Sequence, residues 1–206
     1  MRLSRLSRPL VPFVAAALLS GCSLMGETGE GAGTPIPVLS AADAQLLQDV
    51  VILSADDMEG RDTGAPGGER ARAYIVSRLE ALGVAAPGMG RLQPFEARGR
   101  TREGVKTFNG TNIIGQIPGT RVGGRYIVVT AHYDHVGVND GQVFNGADDN
   151  ASGVATMLAL AAELKRRAPE HSVLFVAFDG EERGLLGATH FVEAPPVPLE
   201  SISLNL

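Results

Sequence analysis

The stretch SVLFVAF at residues 172–178 is a continuous apolar run, which is typical of a strand that is buried on both faces of a sheet. A similar run, RYIVVTA at 125–131, precedes it, and apolar residues at helical spacing between the two predict a helix over about 151–167. This alternation predicts an α/β fold with a mostly parallel sheet flanked by helices. Further strands are predicted at 111–117 and 202–206, and a short helix at 185–192.

The residues before these strands have a weaker pattern. Ser40 is predicted to cap a helix that continues to about residue 52, and a second helix is predicted over about 69–82. Residues 59–68 are rich in glycine and predict a loop. Asp56, Asp57, Glu59 and Arg61 fit either a polar rim or an N-terminal lid, and no site role is assigned to them. Residues 84–110 are predicted to be irregular or weakly stranded. No internal repeat is visible, so we expect one domain.

Three clusters of charged or histidine residues lie at the edges of the apolar runs: AHYDH at 131–135, NGADDN at 145–150 and DGEER at 179–183. Two of them follow predicted strands and the third begins the helix between those strands. All three therefore lie at the edge where open parallel sheets bind ligands. Carboxylates that converge there repel one another unless they share a cation. The clusters favour a metal-dependent hydrolase.

Each cluster alone also fits a structural interpretation. His132 and Asp134 fit a polar loop after a strand, and Asp149 fits an N-terminal helix cap. Glu181 and Glu182 fit solvated charges at a turn. These alternatives stay open when the clusters are considered one at a time.

Taken together, the clusters resemble the di-zinc exopeptidase family, of the secreted bacterial leucyl aminopeptidase type. The resemblance is carried by AHYDHVG at 131–137, NGADDNASGVA at 145–155 and FVAFDGEERGLLGA at 175–188. It extends over about 38–206, where LSADDMEGRDTGAPGGERARAYI at 53–75 is similar to the family's N-terminal stretch. Three motifs in this order make a chance match improbable.

The resemblance implies a role for five residues. His132 is implied as a ligand of one zinc ion, and Asp134 as the partner that orients it. Asp149 is implied as the carboxylate that bridges two metals, and the peptide bond that follows it is implied to be cis. Glu182 is implied as a ligand of the other zinc, and Glu181 as the general base.

These roles imply two Zn²⁺ ions as cofactors and peptides as substrates, cleaved at the N-terminus by an aminopeptidase. A glutaminyl cyclase or a carboxypeptidase of the same fold is the nearest alternative. An alternative of another class is a non-catalytic binding lipoprotein that keeps the fold without the metals.

The sequence departs from the family pattern at its C-terminal end. The family needs two further ligands, an aspartate after the next strand and a later histidine, and neither is present before residue 206. We therefore expect residues 38–206 to be the N-terminal part of a zinc peptidase domain, truncated at the C-terminus. Such a fragment is expected to bind metal poorly and to have little activity by itself.

The N-terminus has the pattern of a targeting segment. Arginines at positions 2, 5 and 8 precede a short apolar stretch at 11–19, which predicts a signal peptide over 1–21. LSGC at 19–22 resembles the lipobox of bacterial lipoproteins, which implies that Cys22 is lipidated. The alternative is an ordinary secretory signal with an incidental cysteine.

Residues 22–37 are rich in glycine, proline and glutamate and predict a flexible tether. Together with a lipidated Cys22, this predicts a bacterial membrane-anchored lipoprotein that faces the periplasm or the cell surface. The formal net charge is −5 and no cluster of basic residues is present. This acidic character argues against nucleic acid as a partner.

Overall fold

The computed structural model describes residues 39–121 and 123–206, with the backbone alone for Leu204 and Asn205. The predicted signal peptide at 1–21, the lipidation site Cys22 and the tether at 22–37 lie outside the described residues. None of the described helices combines the length and the apolar character that a membrane crossing requires.

The described residues form helices on both faces of a five-stranded sheet. The helices are α1 (Ala41–Leu53), α2 (Pro66–Ala81), α3 (Ser152–Arg166) and α4 (Leu186–Glu193), with short 3₁₀ turns at Asp56–Arg61 and Leu199–Ser201. The strands are β1 (Leu92–Thr101), β2 (Gly104–Ile117), β3 (Tyr126–His132), β6 (Ser172–Phe178) and β7 (Ile202–Asn205), and a separate ribbon pairs β4 (Val138–Asn139) with β5 (Gln142–Val143).

The strand order in the sheet is β1-β2-β6-β3-β7. Strand β3 is parallel to β6 and to β7, whereas β2 is antiparallel to β1 and to β6. The predicted α/β class is confirmed, but the sheet is mixed rather than mostly parallel because β1 and β2 form a long antiparallel hairpin. This hairpin occupies most of the region 84–110, so of the two alternatives predicted there, irregular or weakly stranded, the structure has strands.

The central strand β6 packs on both faces, as its apolar run predicts. Val173, Phe175 and Ala177 contact the side of the sheet covered by α1, α2 and α3. Leu174 and Val176 point to the other side, where they pack with Phe191 of α4. Alternate residues of a strand face opposite sides, so a strand between two helical layers needs an apolar residue at every position.

The parallel register aligns the ends of β3 and β6. Ala131 pairs with Ala177 and His132 with Phe178, and the N–H of Tyr133 donates to the carbonyl of Phe178 at 2.9 Å. The residues that follow both strands therefore emerge at the same level of the sheet. This register brings the first and third charged clusters to one edge.

Helix α2 begins at Pro66, earlier than the predicted start near residue 69. Proline is favoured in the first turn of a helix, because its missing N–H would have no helical partner there. The glycines at 67 and 68 are consequently helical and buried, although they have the composition of a loop.

A buried polar cluster joins α1 to α2. The carboxylate of Asp49, whose residue is 1% exposed, accepts hydrogen bonds from Arg78 Nε at 2.8 Å and from the hydroxyl of Tyr74 at 2.6 Å. Gln45 Nε2 donates to the same carboxylate at 3.2 Å. Since the two helices lie on the same face of the sheet, this cluster fixes their relative position.

We expect Asp49→Ala to lower the free energy of unfolding by about 3 kcal/mol, because it leaves the guanidinium of Arg78 and the hydroxyl of Tyr74 without their shared acceptor. Urea denaturation followed by circular dichroism measures this change. Gln48→Ala, at an exposed position of the same helix, is the control and should change the free energy by less than about 0.5 kcal/mol. Equal effects of the two substitutions would contradict the assigned role of Asp49.

Candidate metal centre

His132 and Asp149 lie in contact at the edge of the sheet. His132 is the last residue of β3, and Asp149 belongs to a π-type turn, Ala147–Ala151, that precedes α3. His132 Nε2 lies 3.0 Å from Asp149 Oδ1. The peptide bond between Asp149 and Asn150 is cis, as the resemblance implies.

Glu182 lies in the turn after β6, near Asp149. Next to both lies His135, to which the sequence analysis assigns no role. His135 Nδ1 lies 2.6 Å from Glu182 Oε1. One ligand atom from each of His135, Asp149 and Glu182 lies within 4.8 Å of the others. The structure therefore brings together the three predicted ligands and adds His135. Its position three residues after His132, in the same loop, was the available signal.

Asp134 connects the turn after β6 to the loop after β3. Its carboxylate is fully buried and accepts hydrogen bonds from the N–H of Glu181 at 3.0 Å and from the N–H of Glu182 at 3.2 Å. Its backbone carbonyl lies 3.1 Å from His132 Nδ1, whereas its carboxylate Oδ1 lies 3.7 Å from the same atom. The backbone contact holds the ring of His132 with Nε2 towards Asp149, and the carboxylate holds both glutamates in place.

Glu181 lies beside this group, at a cavity of about 320 Å³ that His132 and Asn150 also line. The remaining walls are largely apolar and include Phe178 and Leu185. A small molecule or the end of a peptide in this cavity would contact His132 and the predicted general base at the same time.

The electrostatics reflect crowded carboxylates. Burial opposes protonation of His132, but the adjacent Asp134, together with the charge of Glu181, raises the pKa of His132 to about 9. Burial raises the pKa of Glu181, and the charge of His132 lowers it in part, while Asp134, Glu182 and Asp149 raise it further. Neighbouring carboxylates thus contribute to both shifts, in addition to burial.

The donor set fits a divalent metal ion. Two imidazole rings and two carboxylates offer nitrogen and oxygen ligands, which is the combination that zinc sites use. His135, Asp149 and Glu182 each offer a ligand atom within 4.8 Å of the others, and His132 Nε2 lies 3.0 Å from Asp149 Oδ1. A positive ion at this position would reduce the repulsion between the neighbouring carboxylates.

Arg61 is the buried cation nearest to this centre in the described residues. It is fully buried, which does not fit a polar rim. Its guanidinium donates to the carbonyls of Tyr133 at 2.8 Å, Asn145 at 2.7 Å and Gly146 at 2.9 Å. A further bond to the carbonyl of Leu53 at the end of α1 anchors it.

These bonds place Arg61 behind two ligand loops. Tyr133 lies between His132 and Asp134, and Gly146 begins the turn that carries Asp149. Burial lowers the pKa of Arg61, and the charges of Asp134 and Asp149 act in the opposite direction. Arg61 therefore fixes the spacing of the loops and adds positive charge beside the carboxylates. In sequence it lies in a glycine-rich loop, which gave no sign of burial.

Gly146 allows the loops to approach closely. It has φ +54°, and a Cβ atom there would lie 2.6 Å from Cδ2 of His135 and 2.2 Å from the carbonyl oxygen of Asp149. Any larger residue would push His135 or the turn of Asp149 out of place. The conformation and the close packing both require glycine.

Comparison with known proteins identifies similar chains. Residues 112–206 match the sequence pattern of Peptidase family M28. Over 67 residues, the chain is 43% identical to Aminopeptidase YwaD of Bacillus subtilis (strain 168), which covers 32% of this chain and 14% of that protein. Over 148 residues it is 30% identical to the alkaline phosphatase isozyme conversion protein of Escherichia coli (strain K12), which covers 65% of this chain and 41% of that protein. The chain thus spans less than half the length of these curated relatives.

A solved structure agrees with the fold. The zinc aminopeptidase BSAP from Bacillus subtilis superimposes with a TM-score of 0.65 and 17% identity, over 79% of this chain and 68% of that chain. At this identity the match shows the fold alone. The fold and the family expected from the three motifs are confirmed by these matches.

We expect Arg61→Met to weaken zinc binding by about 10- to 100-fold, which is the effect of removing a group that orients metal ligands. Arg61→Lys keeps the charge but not the planar fork, so its affinity should be intermediate. Competition with a chromophoric chelator measures the affinity, and urea denaturation reports stability separately. Arg70→Met changes an arginine whose side chain is 41% exposed and serves as the control. Wild-type zinc affinity in folded Arg61→Met would show that Arg61 does not position the ligands.

Proposed function

This chain belongs to peptidase family M28, and we propose that it functions as part of a zinc-dependent aminopeptidase, which removes N-terminal residues from peptides. The observation that carries the proposal is the convergence of His132, Asp149 and Glu182, with Glu181 beside them, at one edge of the sheet. Like-charged groups are brought together at such a site when the chemistry needs a cation.

The proposed ligands are His132, Asp149 and Glu182, which we assign to two Zn²⁺ ions with Asp149 shared between them. The contacts of Asp149 with His132 on one side and with the His135–Glu182 pair on the other support this sharing. Zinc bound there supplies Lewis acidity to the scissile carbonyl and makes water more acidic. His135 is a further candidate ligand, because its ring already faces Glu182.

Glu181 is proposed as the general base. Its carboxylate takes a proton from the attacking water and returns it to the nitrogen of the leaving amine, as general acid–base catalysis requires. Burial, with the neighbouring carboxylates, raises the pKa of Glu181. This shift makes the group a better proton acceptor than an ordinary glutamate. Asp134, through its bonds to the N–H groups of residues 181 and 182, acts as a positioning residue.

Three other functions are alternatives for the same centre. A glutaminyl cyclase or a carboxypeptidase shares the fold, but a relative named as an aminopeptidase is 43% identical over part of this chain. A non-catalytic binding lipoprotein would not need a cluster of metal-binding side chains at this edge of the sheet. These observations favour peptide hydrolysis.

We also propose that the protein is anchored to a bacterial membrane through lipidated Cys22, on the periplasmic side or at the cell surface. The basic n-region, the apolar stretch at 11–19 and the LSGC motif support this location. Peptides are the proposed substrates.

We expect the full product of the gene to release the N-terminal residue from aminoacyl chromogenic substrates, and a zinc chelator to abolish the reaction. Glu181→Gln should lower kcat by about 10²- to 10⁴-fold without changing the bound zinc, because it removes only the proton acceptor. Glu193→Gln, at an exposed position of α4, should behave as wild type. Turnover that resists the chelator would contradict the zinc mechanism, and full activity of Glu181→Gln would contradict the role of the base.

Asp149→Asn should reduce zinc affinity by more than the roughly 10- to 100-fold that loss of an orienting partner causes, because a neutral amide replaces a charged ligand. Asp148→Asn provides a matched control, since Asp148 is the adjacent exposed aspartate of the same turn. Equilibrium dialysis followed by metal analysis gives the zinc content of each variant. If both variants lose zinc equally, the loss of zinc is caused by the lower negative charge of the turn, and Asp149 is not a ligand.

A further inference from the structure

A cavity of about 700 Å³ begins at Glu182 and extends to the tip of the β1–β2 hairpin. We call it the hairpin cleft. One wall is the hairpin tip at 100–108, and the opposite wall is the loop at 136–140. Glu182 lines this cleft and is also a proposed zinc ligand. When the scissile bond of a peptide lies at the metal centre, the residues next to that bond can therefore reach the cleft.

The lining of the hairpin cleft holds four cationic side chains and four carboxylates. Two of its cations have partners within it: Arg183 Nε bonds Asp62 Oδ1 at 3.0 Å, and Lys106 Nζ bonds Glu103 Oε2 at 2.7 Å. Two more cations, Arg100 and Arg102, line the same cleft.

Arg100 and Arg102 have no carboxylate oxygen within 4.0 Å among the residues that the structure describes. The cleft holds two further carboxylates, those of Glu182 and Asp140. Glu182 faces His135 at the metal centre, which leaves Asp140 as the one opposing carboxylate without an ion pair. Arg100 and Arg102 are therefore the two cations of this lining that have no ion pair in the described residues.

A guanidinium group is suited to a carboxylate because its planar fork matches the two oxygens. We propose that the hairpin cleft binds a carboxylate of the peptide substrate, on the side of the scissile bond that leaves, through Arg100 and Arg102. This inference rests on the proposed function, and it names the substrate class: peptides with a carboxylate close to the cleaved bond. The carboxylate is either the C-terminus of a short peptide or an acidic side chain.

The size of the effect follows from the exposure of the two arginines. An exposed ion pair contributes about 0.2–1 kcal/mol, which corresponds to at most about 5-fold in a rate or binding constant. Two such contacts therefore predict a preference of about 3- to 10-fold in kcat/KM for the charged substrate. Because the contacts are exposed, 1 M salt should remove most of this preference.

The experiment uses the full product of the gene, loaded with zinc, and two substrate pairs. Leu-Gly-Gly as the free acid is compared with its amide, and Leu-Glu-amide with Leu-Gln-amide. We expect the wild-type enzyme to prefer the charged member of at least one pair, and the pair that shows the preference identifies the source of the carboxylate. The double variant Arg100→Gln, Arg102→Gln should lose the preference and keep its kcat/KM for the neutral substrates.

Arg98→Gln is the matched control. Arg98 is exposed on the same strand but does not line the cleft, so the preference should survive in this variant. A wild-type enzyme that cleaves all four peptides at equal rates, or a preference that persists in the double variant, would overturn the cleft proposal and leave the aminopeptidase function standing. An absence of hydrolysis of every substrate would overturn the proposed function itself.

Discussion

The crowding of carboxylates at the ends of β3 and β6 is the constraint on which the centre depends. Asp134, Asp149, Glu181 and Glu182 occupy one edge of the sheet, where burial and then the charges of the other three carboxylates raise the pKa of Glu181. The chain limits this repulsion in two ways. Backbone N–H groups bond the buried carboxylate of Asp134, and a buried guanidinium lies behind the ligand loops. The remaining excess of negative charge defines a place for a cation.

The ligands are positioned by backbone contacts more than by apolar packing. Arg61 bonds four carbonyl groups, and Asp134 bonds two N–H groups, so the loops are held through main-chain atoms whose positions do not depend on side-chain rotamers. Gly146 then permits the turn of Asp149 to lie against His135. Such an arrangement can fix ligand geometry in loops, which are otherwise the least rigid part of a fold.

The sequence predicts the parts of this protein whose physical causes are local. The apolar run of β6 requires burial on both faces, and the parallel register of β3 and β6 then follows from the strand–helix–strand order. The hairpin β1–β2 was not predicted, because its tip is exposed on both faces and lacks the alternation of apolar and polar residues that marks a strand.

Arg61 and His135 were missed for another reason. Their roles depend on loops that are distant in the sequence, and neither a glycine-rich loop nor a second histidine indicates which carbonyl or carboxylate will lie beside it.

The bonds of Arg61 also have a consequence for the order of folding. They join residues separated by 72, 84 and 85 positions along the chain. Contacts over such separations close long loops at an entropic cost, and chains dominated by them fold slowly. The final geometry of the ligand loops depends on these long-range contacts. We expect the centre to be a late product of folding rather than part of its nucleus.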